Sequence, residues 1–81
     1  MRNKHWIYTY NHIDNKVMIE VTEEVKAKFP VEFKLYDDDG KLYLTGRMTS
    51  KLEDSHMILD PLDCAEGAWG CTEMRINGET V

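Results

Sequence analysis

Three constellations in this sequence carry the residue types of chemistry. The first is Tyr36-Asp37-Asp38-Asp39-Gly40, three carboxylates ahead of a glycine. Oxygen ligands at alternate positions before a glycine are the pattern of a helix-flanked calcium loop. With Gly40 as its sixth residue, Asp37 and Asp39 fall at ligand positions three and five. Leu35 and Gly46 then stand where the first ligand and the closing bidentate glutamate belong. Two anchors are missing, and the residues that follow alternate as a strand does. Asp and Gly suit a hairpin tip because they tolerate positive φ and hydrogen-bond the local backbone. The sequence therefore predicts a turn that also concentrates negative charge.

The second constellation is His56, Asp60 and Cys64, four residues apart. On a helix they would line one side, as base, orienting acid and nucleophile. Pro61 argues against a continuous helix through them, and the acidic surroundings disfavour the thiolate that catalysis needs. The third is Cys64 and Cys71, which His56 or His5 could join as zinc ligands. A structural zinc site takes four ligands, often in tight cysteine pairs, and six residues separate these two cysteines. They are expected to be buried free thiols. There is no glycine-rich phosphate loop, no Gly-x-Ser-x-Gly and no His-Glu-x-x-His. The reading is a non-enzyme, with no catalytic residue, no metal and no cofactor assigned.

Charge points elsewhere. The 81 residues carry a net charge of −5, which opposes direct binding to nucleic acid or to an anionic membrane. The asymmetry is sharper than the total: Glu53, Asp54, Asp60, Asp63, Glu66 and Glu73 occupy a stretch with no Lys or Arg. Such a stretch is either an ordinary solvated surface or a face for a basic partner. Gly67-Ala68-Trp69-Gly70 places a tryptophan between small residues, either as a plug on the core or as a contact anchor. No apolar run is long enough to span a membrane, and the amino terminus lacks an apolar leader. With two cysteines only, the expectation is a cytoplasmic protein.

The elements that must position these groups follow from periodicity. Residues 4–10 (KHWIYTY) and 16–21 (KVMIEV) alternate and flank the turn cluster NHIDN, so they should pair as a hairpin. Trp6, Tyr8 and Tyr10 would share one face of the first strand, and Val17, Ile19 and Val21 one face of the second. Thr22 begins a two-turn helix with Glu23 and Glu24 in its first turn, and Pro30 ends it. That helix is too short to persist alone and must pack on the sheet. Residues 31–36 (VEFKLY) and 41–48 (KLYLTGRM) alternate around the aspartates, with Gly46 marking a bulge or a close backbone approach. Residues 49–70 read as irregular. CTEMRI (71–76) reads as a last strand, and Asn77-Gly78 as a turn. One α+β domain spanning residues 1–81 results: an antiparallel sheet of four to five strands, in the order β-β-α-β-β-loop-β, with one short helix on one face. A chain of this size buries only roughly 60–65% of its unfolded surface.

The stretch FKLYDDDGKLYLTGR, with LDPLDCAEGAWGCTEMRI further on (Phe33 to Ile76), resembles small acidic proteins of bacteria and their phages that have no assigned activity. The resemblance rests on the Leu-Tyr-Asp-Asp-Asp-Gly hairpin, a Gly-Arg, a Pro-Leu-Asp and a Gly-Cys-Thr-Glu before the last strand. It covers about half the chain. It implies a stand-alone domain from a mobile element and brings no catalytic residues with it.

The expectation is a non-catalytic protein-interaction domain, a modulator or inhibitor that docks on a larger protein partner. Its contact residues would be Asp37, Asp38, Asp39, Glu53, Asp54, Asp60, Asp63, Glu66 and Trp69. Two alternatives stand beside it. One is a phage-type inhibitor whose carboxylates imitate DNA phosphates in the groove of a defence enzyme. The other is a homodimer of unassigned role paired through an edge strand.

Overall fold

Alternation builds the centre of the protein. In the computed structural model, which describes residues 5–81, β3 (Val31–Tyr36) and β4 (Leu42–Met48) pair antiparallel from Val31↔Met48 to Leu35↔Leu44. The inward positions Phe33, Leu35, Leu44 and Met48 are fully buried, each worth about 2 kcal/mol in transfer free energy. The turn between them closes through Asp37 N–H to Lys41 C=O (3.0 Å) and Gly40 N–H to Asp37 C=O (3.1 Å). Gly40 has φ +80°, a conformation that glycine adopts without Cβ strain.

The hairpin gains neighbours on both sides. Strand β1 (Trp6–Asn11) pairs with β4, and β5 (Glu73–Ile76) pairs with β3. Gly46 lies opposite both Tyr8 and Phe33; a Cβ there would collide with the Phe33 ring and the Ile7 carbonyl. The close approach expected of Gly46 is thus the reason for glycine. Two-residue strands, β2 (Lys16–Val17) and β6 (Glu79–Thr80), form the edges, giving the order β2-β1-β4-β3-β5-β6. The sheet has six strands rather than four to five. The sixth arises because Asn77 and Gly78, both at positive φ (55° and 81°), turn the chain straight back. Lys4, the expected start of the first strand, lies outside the described residues.

Residues 49–70, expected to be irregular, hold two helices joined by turns over residues 54–59. Helix α2 (Ser50–Glu53) is capped by the Thr49 hydroxyl, which accepts from Leu52 N–H at 3.2 Å. Helix α3 (Asp60–Trp69) carries Pro61 in its first turn and ends at Gly70, whose φ is +75°. A proline there loses no intrahelical hydrogen bond, so Pro61 starts the helix instead of breaking it. Pro61 and Ala65 are buried, Leu62 and Trp69 partly so, and this stripe lies on the sheet. With Leu52 from α2, one cluster joins Trp6, Phe33, Leu35, Leu44, Met48, Cys71, Met74 and Ile76.

The aromatic row is also redistributed. Pairing passes from Tyr8↔Gly46 to Tyr10↔Thr45, a bulge that flips the parity of the strand. Trp6 and Tyr8 therefore point into the core under α3, whereas Tyr10 turns to the opposite face, its ring tilted against that of His12 with 4.5 Å between centroids.

Helix α1 (Glu23–Lys28) forms where expected, with Thr22 Oγ1 accepting from Val25 N–H at 3.2 Å and Phe29 buried at its end. It does not cover Val17, Ile19 and Val21, which stay exposed. The strand expected over residues 16–21 stops at Val17, because Met18 and Ile19 N–H both bend in to Thr9 C=O (2.9 and 3.2 Å). Helix α1 is tied instead to the face away from α3: Arg47 donates to the carbonyls of Phe29 (2.8 Å) and Pro30 (3.1 Å).

Candidate functional site: an acidic rim on the helical face

Helix α3 is fixed to the sheet by its aromatic underside. The Tyr8 hydroxyl donates to the Pro61 carbonyl at 2.6 Å, and its ring stands edge-on to Trp69, 5.5 Å between centroids, and to Phe33 at 6.3 Å. Burial, reinforced by the nearby Cys64, Cys71 and Asp60, pushes the Tyr8 hydroxyl well above the usual tyrosine range. Trp6 Nε1–H points at Asp60 Oδ2, 3.4 Å away. With its underside held this way, α3 presents Asp63 and Glu66 to solvent, three residues apart on one side. Asp60 and Asp63 also sit in the first turn, where the helix dipole favours negative charge. Asp54, just past α2, is exposed, and Glu53 and Asp60 are half-buried.

The tip of the β3–β4 hairpin joins this rim. Thr72 N–H donates to the Tyr36 carbonyl at 2.8 Å, which sets the end of α3 beside the three aspartates. Asp37 itself faces inward. Its Oδ1 accepts from the amides of Lys41 (2.8 Å) and Asp39 (2.9 Å). The Lys41 amide bond first, with the Tyr43 hydroxyl and the Asp39 amide adding, holds its carboxyl below the usual range. Asp37 is therefore an element of the turn, and Asp38 and Asp39 are the exposed carboxylates. Among the described residues these three aspartates are the only trio of potential ligand side chains within 4.8 Å of one another. The turn geometry accounts for their closeness.

The thiols divide in the same way. Cys71 is fully buried, and burial followed by the Asp37 charge pushes it up to about 11. Cys64 is free but exposed, contrary to the expectation that both are buried. The spaced trio of His56, Asp60 and Cys64 does not become one helical side. His56 lies in the turn before α3, and only Asp60 and Cys64 are on the helix.

The cations of the central strands lie elsewhere. Lys34, Arg47 and Arg75 each stand between inward-pointing neighbours, so they occupy the sheet face away from α3. Arg47 is 3.9 Å from Glu32, and Arg75 pairs with Glu73 and lies over the Tyr36 ring at 4.5 Å. Lys34, Arg47 and Arg75 thus share the α1 side of the sheet with Glu32 and Glu73, whereas the acids of residues 53–66 lie on and beside α2 and α3. The return of residues 50–69 over the other face was not legible in the sequence.

Beside the acids, an open and largely apolar cleft of about 360 Å³ is lined by His5, Trp6, Lys51, Leu52, Ser55, Met57 and Asp60. Met57 and Leu59 are exposed near it, whereas Trp69 is packed on Tyr8. Among the described residues no helix is long and apolar enough to cross a membrane. No family model, curated protein or solved structure matches the chain.

Proposed function

We propose that the protein is a non-catalytic docking domain that presents its helical face to a basic protein partner. One observation carries the reading. Exposed carboxylates stand at Asp38 and Asp39 on the hairpin tip and at Asp63 and Glu66 on α3, the hairpin is joined to the chain just after α3 by the Thr72–Tyr36 hydrogen bond, and Arg47 and Arg75 lie on the other face of the sheet. Charge arranged this way steers encounter and orients the partner. Glu53, Asp54 and Asp60 extend the rim towards the apolar cleft at Trp6, Leu52 and Met57, which supplies desolvated contact area. Asp37 and Trp69 contribute from beneath, by fixing the turn and the helix.

The test is capture of partners from the source cell at low and high salt. It compares the wild type with two doubly reversed variants, Asp38→Lys with Asp39→Lys and Asp63→Lys with Glu66→Lys. The expected result is a basic protein retained by the wild type and lost with either variant and with rising salt. Retention by both variants overturns the reading. If the captured protein binds nucleic acid, competition by duplex DNA separates the DNA-imitating inhibitor from a general docking domain.

A further inference from the structure

The cleft between the start of β1 and the two helices has a defined chemistry. Trp6 and Leu52 lie almost fully buried at its base, and Met57 lines it nearer the surface. One carboxylate stands among these apolar groups. Asp60 is half-buried, and its Oδ2 accepts from Trp6 Nε1–H at 3.4 Å. Among the described residues no cation pairs with it. A carboxylate beside apolar surface, with one oxygen left open, favours a cation that brings its own apolar stem. His5 and Lys51 also line the cleft, but both are exposed, so their polar ends can stay in water. Over residues 50–60, which form the helical side of the cleft, Lys51 is outnumbered by Glu53, Asp54 and Asp60.

We infer that the cleft receives an arginine side chain of the basic partner, with its stem on Trp6, Leu52 and Met57 and its guanidinium on Asp60. The source of that arginine rests on the docking reading; its identity rests on the cleft. Arginine suits the site better than lysine. Its guanidinium is the more weakly hydrated cation, and its planar fork meets both oxygens of a carboxylate at once. Each oxygen has two lone pairs, so Oδ2 can serve Trp6 and the guanidinium together. The volume of about 360 Å³ has room for one long side chain. Arginines seated in such desolvated pockets are prominent among the residues that dominate interface energies.

Nuclear magnetic resonance of the full chain at low salt reads occupancy through the two indole N–H signals. The probe is N-acetyl-arginine amide. It should shift the Trp6 signal saturably and leave in place that of Trp69, at the other end of α3. N-acetyl-citrulline amide, similar in shape but uncharged, should bind at least about tenfold more weakly, and the lysine analogue several-fold more weakly. Asp60→Asn, with its fold checked by circular dichroism, should weaken the arginine probe about tenfold. Lys51→Glu, at an exposed position, should tighten it several-fold. A silent Trp6 signal, or equal binding of the arginine and citrulline probes, overturns the inference and needs no variant to fold. A silent Trp6 signal together with salt-sensitive capture of a basic protein overturns the cleft assignment alone. A saturable Trp6 response with no basic protein captured overturns the docking reading and leaves the arginine site.

Discussion

The two hairpins of this protein have equally regular sequences and opposite fates. In β3–β4, Phe33, Leu35, Leu44 and Met48 are fully buried; in β2 and just past it, Val17 is 62% and Ile19 39% exposed. Alternation is the same in both. What differs is company: β3 and β4 have strands on either side and helices α2 and α3 above, whereas β2 has β1 on one side only and Ile19, just past it, lines an open cleft with Val25 and Lys28 of α1. A period-two pattern states which residues can share a face. Whether that face becomes dry depends on what the rest of the chain brings to it.

The largest test of this contrast is truncation. Leu44→Ala should cost about 2–5 kcal/mol in urea unfolding, since it empties a fully enclosed site. Val17→Ala should stay within about 0.5 kcal/mol in dilute solution. Equal costs would mean that the edge hairpin is covered in the monomer.

The link between the central hairpin and its roof can be cut more gently. Tyr8→Phe removes the hydroxyl that meets the Pro61 carbonyl, and a loss of about 1–2 kcal/mol is expected. Hydrogen exchange in α3 should accelerate more than in α1. The same hydroxyl predicts an alkaline limit. Because its pKa is raised on folding, its contribution is intact below the unfolded value of about 10 and is lost as pH rises through the folded one.

Asp37 gives the converse dependence at low pH. Its carboxyl is held down by the Lys41 amide, so the contribution is full above the unfolded value of about 4 and is lost as pH falls through the folded one. Asp37→Asn should flatten that part of the acid-unfolding profile. Asp38→Asn, which alters an exposed carboxylate, should not.

The smallest effect is kinetic and leaves stability untouched. An alkylating reagent at pH 8 should modify exposed Cys64 and spare Cys71, which is buried beside the central hairpin with its thiol held near 11. Both should react after unfolding. Equal native reactivity would show that α3 opens from the sheet.

Much of this was legible in residue order. The strands 31–36 and 42–48, the Asp-Gly turn, the Thr22-capped helix and the tight approach at Gly46 all rest on local chemistry. The helix at residues 60–69 carried its own signals, Pro61 near its start, Gly70 at its stop, and Pro61, Ala65 and Trp69 at four-residue spacing. Read locally, Pro61 breaks a helix, because that role dominates everywhere except the first turn. The turning of Tyr10 away from Trp6 had no local sign, since a bulge is set by the partner strand. Asp37 and Asp38 are adjacent and alike in type, yet one closes a turn and the other meets solvent.

The sequence by itself determined the antiparallel hairpins, the side of the sheet on which Lys34, Arg47 and Arg75 stand, and the acidity of residues 53–73. Only the tertiary structure decided which face is roofed, which strand becomes an edge, and that the end of α3 lies beside the three aspartates. The physical reason is range. Turn propensity and side-chain alternation act over a few residues, whereas burial is created when segments tens of residues apart exclude water from the same surface.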